Sequence, residues 1–506
     1  MRRETLSITV ACGALLSAAL PPTGSWPLLL ALVPLFVFVA RSDRTAHAFW
    51  LGFAFALPFF TLYILWLPAS FAGPDFFGSS FWLLYPPMLL VLASFWGLVT
   101  AAARVAGGGG RLTLLLLPPL WILMEWARTQ GYFGFPWGTL GYAWLDTPIA
   151  QLADTVGVWG LGLLTTSLAA LLAAPFVPGR HGTRRAPRSL GLVVPPLAAA
   201  AVFAFAWWTG GVKLERQLPE PEYTALLVQG NVDPFGRLMG LSDEVELQAR
   251  LSRQGAEALA QPPDLVVWPE GAVLAGFDGE RGRQMLMQVQ SSVPGAVFLV
   301  GARASVDGAS YNSAYTIADG RLLDRYDKYY LVPFGERFPL ADAAAPLYRA
   351  VFGLFGMQPI PGTAQGSAFE PLASPLGPLA AYICYESVFP QVQRAMVAAG
   401  ARLLVNITND SWFARGDGAQ QHYAMGRMRA IENRRYLLRA GNDGITGVVD
   451  PLGRTVEQLE RGTRAVMAAQ FALLDGETPW VRFGHLLMPL LAVWIVTAIV
   501  VRVSSR

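Results

Sequence analysis

Charge is scarce in this chain of 506 residues: Asp, Glu, Lys and Arg make up only 14% of it, against about 25% in an ordinary globular protein. Cysteine is scarcer, with Cys12 and Cys384 alone, so no disulfide framework can staple the fold. The histidines His47, His181, His422 and His485 are scattered without paired spacing, which argues against a metal site. The net charge of +3 is too small for a nucleic-acid binder. Of the 38 cationic residues all but Lys213 and Lys328 are arginine, so each lysine marks a place where an ammonium was chosen. What is abundant is apolar: 53% of residues are hydrophobic. A disordered chain, a disulfide scaffold and a purely soluble enzyme are all excluded.

Long apolar runs gather at the two ends. Spans are expected near Leu6–Leu20, Trp26–Ala40, Phe49–Ala69, Phe81–Ala103, Leu112–Ala127, Thr155–Val177, Leu190–Thr209 and Gly484–Val501, since about 20 apolar residues cross a hydrocarbon core. The first two are short and divided only by Pro21-Pro22-Thr23-Gly24-Ser25, as in a tight hairpin or a partly re-entrant pair. The first lacks a clear small-residue cleavage site and reads as an uncleaved span rather than a signal peptide. With the N-terminus inside, the inner short segments hold Arg2, Arg3, Arg41, Arg44, Arg104, Arg111, Arg180, Arg184, Arg185, Arg188, Arg502 and Arg506, and the outer short loops only Arg128. That bias puts the polar middle of the chain outside the cytoplasmic membrane. The expected organisation is a membrane domain of seven helices over 1–209, an outer domain over 210–483, and a final span with a short tail over 484–506. Gly107–Gly110 reads as a flexible inner loop, because it lacks the spacing of a phosphate-binding loop.

The outer domain reads as α/β. Apolar or β-branched runs at Thr224–Gln229, Asp264–Trp268, Ala296–Gly301, Tyr311–Ile317, Leu379–Cys384, Ala401–Ile407 and Gly444–Val449 suggest strands. Helical patterns lie among them at Asp243–Ala260, Glu280–Gln290, Val388–Ala399 and Gln420–Arg435. The alternation implies layered sheets and helices.

Three residues of this domain can carry chemistry. Cys384 ends an apolar strand, and as a lone thiol it is either a buried core cysteine or a nucleophile that needs a base or a nearby cation. Glu270 closes the strand Asp264-Leu-Val-Val-Trp-Pro-Glu and is either an exposed strand-end carboxylate or a general base. Lys328 is either a surface cation or the fixed charge for an oxyanion; a chain that writes its surface cations as Arg weakens the first reading. Glu336, after the turn Pro333-Phe334-Gly335, orients Lys328 or a substrate amine, or is a loop carboxylate. Asn406-Ile-Thr-Asn-Asp-Ser-Trp412-Phe413 either lines a site or is Asn/Asp turn chemistry. A Cys-His pair would need His422, on a helical pattern, or His485, at the head of the last span. A transporter with an accessory outer domain is opposed by the few ionisable residues in the spans, of which Glu125 is the main one.

Glu270, Lys328 and Cys384, with Val266-Val-Trp-Pro-Glu270, Tyr326-Asp-Lys328, Leu331-Val-Pro-Phe-Gly-Glu336 and Ile383-Cys-Tyr-Glu386, resemble the Glu-Lys-Cys triad of the nitrilase superfamily. The flanking spans make the whole chain resemble that superfamily's membrane-embedded branch, the apolipoprotein N-acyltransferases. Glu125-Trp126, Gly134-Phe-Pro-Trp137, Val228-Gln-Gly-Asn231, Asn409-Asp-Ser-Trp-Phe413 and Arg427-Met-Arg-Ala430 match as well. The resemblance implies a multi-span helical bundle joined to an αββα sandwich, in a bacterial inner membrane with the sandwich on the periplasmic side. It implies that Cys384 takes an acyl chain, the sn-1 chain of a phospholipid such as phosphatidylethanolamine, as a thioester. The α-amine of the diacylglyceryl-cysteine of an apolipoprotein then accepts that chain. Glu270 would be the general base, Lys328 would steady the oxyanion, and Glu336, Tyr385 and Glu386 would support the site. No cofactor and no metal is expected; the partners are the phospholipid, the diacylated apolipoprotein and the bilayer. The same triad also serves a membrane-tethered amidohydrolase, in which water replaces the amine. Family members carry a tryptophan soon after Gln-Gly-Asn; here Val232–Gly240 has none, and Phe235 is the aromatic residue available for substrate contact, with Trp412 and Phe413.

Overall fold

Among the described residues the apolar runs of the N-terminal part form helix, with Pro58, Pro118, Pro119, Pro195 and Pro196 inside helices. The computed structural model describes residues 3–71, 82–131, 134–178, 188–233, 244–274, 276–338, 340, 343–354, 362–413 and 416–504. Helices α1 (Arg3–Ser17), α2 (Leu32–Arg41), α3 (Thr45–Tyr63), α4 (Trp66–Phe71), α5 (Tyr85–Gly107), α6 (Arg111–Ala127), α7 (Ala153–Ala173) and α8 (Arg188–Leu214) precede the outer domain. Among the described residues five segments, Thr45–Ser70, Tyr85–Gly107, Pro148–Phe176, Gly191–Leu214 and Pro479–Ser504, are long and apolar enough to cross a membrane. The remaining runs are shorter. At 1.5 Å per residue, α1 with 15 residues and α6 with 17 rise only about 23 and 26 Å, less than the hydrocarbon thickness.

The Gly107–Gly110 stretch is not a free loop. The Gly110 amide donates to the Ala40 carbonyl at 2.8 Å. The Gly109 amide donates to the Thr113 hydroxyl at 3.0 Å, and the Arg502 guanidinium caps the Val105 and Ala106 carbonyls. The freed carbonyls at the end of α5 therefore find a partner on the last helix.

Strands β1 (Tyr223–Gln229), β2 (Leu265–Val273), β3 (Val297–Val306), β4 (Ala309–Ala318), β5 (Arg321–Asp327), β6 (Leu379–Ile383), β7 (Leu403–Thr408), β8 (Leu437–Gly441), β9 (Gly447–Val449), β10 (Thr455–Gln458) and β11 (Ala465–Phe471) make two sheets. Their orders are β11-β1-β2-β3-β4-β5 and β10-β9-β8-β7-β6. Along β1, Ala225 and Leu227 enter the core between the sheets. The alternate residues Leu226 and Val228 pack under α9 (Glu244–Glu257) and α10 (Gly279–Ser292). Burial on both faces explains why these strands read as continuous apolar runs. Helices α12 (Pro390–Ala398) and α13 (Gly418–Asn433) cover the second sheet, completing the αββα sandwich; α11 (Ala345–Leu354) lies in the long β5–β6 connection, and α14 (Pro479–Phe483) leads to α15 (Leu487–Ser504).

Helix α13 joins the two parts. Trp66 Nε1 donates to Gln421 at 2.9 Å, and Gln421 Nε2 donates to the Tyr63 carbonyl at 2.9 Å. Arg429 donates to the Tyr142 hydroxyl at 3.1 Å. Glu432 Oε1 accepts the Val158 amide at 2.8 Å, just past the kink at Gly157 (φ 66°). There a side chain would strike the Trp480 ring. Asp154, at the start of α7, bridges Lys213 on α8 and Arg434 just after α13.

Candidate active site

Glu270 does not end its strand, as the sequence suggested; it lies inside β2, which runs on to Val273. Pairing with β3 slips between Trp268 and Val273, and such a bulge re-aims a side chain. Gly301 permits it: a Cβ there would sit 2.3 Å from the Pro269 carbonyl oxygen. Lys328 follows the last residue of β5, and Cys384 follows the last residue of β6. Cys384 has φ 50°, an uncommon backbone for a side-chain-bearing residue. Strain of this kind persists only where the surroundings over-determine it.

These elements bring the three together with Glu336. Lys328, 1% exposed, donates to Glu270 Oε1 at 3.1 Å and to Glu336 Oε1 at 2.9 Å. Glu270 Oε2 accepts the Asn409 amide at 2.9 Å; Glu336 Oε2 accepts the Val332 amide at 2.9 Å. Burial alone would lower the Lys328 pKa, but the charges of Glu270 and Glu336 outweigh it and hold the ammonium well above its usual range. Burial raises Glu336, yet Lys328 and the Val332 amide bring it below the usual carboxylate value. For Cys384, burial and then the charge of Glu270 push the thiol up, against the opposing pull of Lys328. The sulfur therefore rests as a thiol and needs a base at the moment of attack.

Glu386, fully buried, ties the pieces together. Its Oε1 accepts from the Tyr326 hydroxyl at 2.6 Å and from the Tyr329 and Tyr330 amides at 2.8 and 3.2 Å. Its Oε2 accepts the Ile383 amide at 2.8 Å. Burial raises its pKa to about 6 despite these donors. The Tyr385 hydroxyl donates to the Gly134 carbonyl at 2.6 Å, and its ring stacks on Trp137 at 5.8 Å. Both partners precede α7, so the residue next to the thiol is held by the membrane part.

His422 is not the thiol's base. Its Nε2 is 3.0 Å from the Cys384 carbonyl oxygen, and its Nδ1 faces Asp410 and Arg439. His485 lies at the head of the last helix. Phe413 packs edge-on against Trp66 at 4.9 Å and faces His422 at 5.5 Å, so it joins the contact between the two parts. Phe235 and the Trp412 side chain lie outside the described residues. Among the described residues no group of three His, Cys, Asp or Glu side chains is arranged for a metal. Sequence reasoning missed Asn312 and Arg439, neither of which had a motif. Asn409 and Asp410 sat in a string that either lines a site or is turn chemistry, and His422 was weighed only as a partner for the thiol, not as a neighbour of Asp410 and Arg439.

Family models match both parts of the chain. The carbon-nitrogen hydrolase family matches residues 227–477, and the apolipoprotein N-acyltransferase N-terminal domain matches residues 12–171. The apolipoprotein N-acyltransferase of Geobacter metallireducens is 32% identical over 96% of this chain and 92% of its own. That of Gloeobacter violaceus is 32% identical over 97% and 93%. The chain belongs to the apolipoprotein N-acyltransferase family. In Azotobacter vinelandii the relative is again 32% identical, over 94% of this chain and 91% of its own. The family match covers bundle and sandwich alike, so the helices are part of the shared architecture rather than an added anchor.

Proposed function

We propose that the protein transfers an acyl chain from a phospholipid, through a thioester on Cys384, to the N-terminal amine of a diacylated apolipoprotein. The observation that carries this reading is Lys328, which sits between Glu270 and Glu336 beside a buried Cys384. Glu270 takes the thiol proton as the sulfur attacks the sn-1 ester carbonyl. The Lys328 ammonium stabilises the resulting oxyanion. Collapse breaks the ester C–O bond, the departing lysophospholipid oxygen receives the proton from Glu270, and the thioester remains. The lipopeptide amine then attacks the thioester carbonyl, Glu270 accepts its proton, the C–S bond breaks, and the sulfur is reprotonated.

Both substrates are anchored in the bilayer, and extracting a chain costs about 0.8 kcal/mol per CH2. A site held by Tyr385 against Gly134 and Trp137 avoids that extraction. Seven N-terminal spans with the sandwich outside the inner membrane are the arrangement that the arginine distribution favours. The test is incubation of the purified full chain with phosphatidylethanolamine labelled in its sn-1 chain. Hydroxylamine-labile label on Cys384 that moves to a diacylated lipopeptide amine is expected. Label lost to water at one rate, with or without lipopeptide, would replace the acyltransferase by a hydrolase.

A further inference from the structure

Lys328 shares its two acceptors with a residue that no motif singled out. Asn312 lies in β4, and its backbone carbonyl accepts the Lys328 amide at 2.8 Å. Its side chain donates to Glu270 Oε1 at 2.7 Å and to Glu336 Oε1 at 2.9 Å. The same two oxygens accept from Lys328 Nζ. Two donors and two acceptors thus close a four-point ring. Because ionised carboxylates only accept, the asparagine atom facing them is the amide nitrogen, with a hydrogen for each.

The ring answers a problem of charge. Two carboxylates converge on one buried ammonium, and they repel each other. A second cation opposite Lys328 would cancel the repulsion, but it would also hold Glu270 more firmly and weaken it as a proton acceptor. A neutral amide with two hydrogens holds both oxygens without adding charge. It also selects the working oxygen of Glu270. Both lone pairs of Oε1 are used by Asn312 and Lys328, whereas among the described residues Oε2 accepts from the Asn409 amide alone and keeps one lone pair.

We propose that Asn312 is a positioning residue for the transfer reaction: its side-chain amide holds Glu270 and Glu336 on Lys328 so that Glu270 Oε2 is the oxygen left to receive the thiol proton. This rests on the acyl-transfer reading above. Asn312 itself accepts no proton and touches no reacting atom; it acts through Glu270.

The test is the single-turnover rate of Cys384 acylation by labelled phospholipid in the full-length protein, comparing wild type, Asn312→Ala, Asn312→Asp, Glu336→Gln and the Asn312→Ala/Glu336→Gln double variant. Asn312→Ala is expected to slow acylation about tenfold to hundredfold, the scale of a displaced reacting group, with KM for phospholipid and lipopeptide within about twofold of wild type. Asn312→Asp keeps the shape of the side chain and loses the donor, and is expected to be at least as slow. In the double variant the Asn312 effect shrinks, because both changes break one ring. Acylation by both Asn312 variants within about twofold of wild type, or effects that multiply in the double variant, would overturn the proposal. Wild type that forms no thioester would instead overturn the acyl-transfer reading beneath it.

Discussion

Glu386 Oε1 accepts the amide hydrogen of Tyr329 at 2.8 Å, and that one bond fixes the lysine segment to the cysteine turn. Tyr329 follows Lys328, and Glu386 lies two residues after Cys384. The other Glu386 oxygen holds the Ile383 amide at the end of β6. A single buried carboxylate thus sets where the nucleophile stands relative to the ammonium.

Replacing Glu386 by glutamine keeps the shape and removes an acceptor. One amide nitrogen must then face the Ile383 donor or the Tyr326, Tyr329 and Tyr330 donors. A buried donor left unpaired costs about 1–3 kcal/mol. Glu386→Gln is expected to lower thermal stability by that order and to slow thioester formation about a hundredfold, the scale of a misplaced reacting group. Melting in detergent and single-turnover labelling of Cys384 measure the two. Unchanged labelling would show that this carboxylate does not align Lys328 with Cys384.

The same bond shows what the sequence disclosed and what it hid. Cys384 and Glu270 were legible because each follows a short apolar run, and such runs form strands buried on both faces, like β2 and β6; Lys328 was legible as one of two lysines in a chain that otherwise writes its cations as arginine. Strands β5 and β10 were not, because their residues are mostly exposed and carry Arg, Asp, Glu and Gln. Strand β8 stayed hidden as a short run directly after α13. Asn312 was unreadable for another reason: one amide within an apolar-polar alternation looks like any solvent-facing strand residue until β2, β4 and the Lys328 segment converge. The bulge at Glu270 also depends on Gly301, a residue on the neighbouring strand.

Lys328→Met separates charge from bulk. Removing the ammonium leaves Glu270 and Glu336 facing each other in a buried site, and breaking a buried pair costs about 3–5 kcal/mol. Both turnover and stability are expected to fall. Adding Glu336→Gln is expected to recover part of the stability and none of the activity. Recovery of turnover in the double variant would remove Lys328 from the chemistry.

Glu432 makes stability depend on pH. Burial raises its carboxyl to about 7, against the pull of Arg429 and the Val158 amide; Arg394 also faces it. Its folded pKa lies above the unfolded one, so folding favours the protonated form. The contribution is therefore present at low pH and lost as pH rises from about 4.5 to about 7. Melting temperature is expected to fall across that window, and Glu432→Gln is expected to flatten the slope. An identical slope in the variant would place the titrating group elsewhere.

The second lysine also meets a buried carboxylate. Lys213, at the end of α8, and Arg434, past the end of α13, share Asp154, whose side chain is 6% exposed. Asp154→Asn leaves two cations facing each other where the membrane helices meet the sandwich, and breaking a pair buried to this degree costs up to about 3–5 kcal/mol. The connection between α8 and β1, residues 215–222, is expected to be cut faster by protease in Asp154→Asn than in wild type. Arg434→Met added to that variant removes the repulsion and is expected to slow the cutting again. Cleavage at the wild-type rate in Asp154→Asn would mean that the contacts of Gln421, Arg429 and Glu432 hold the two parts together without this bridge.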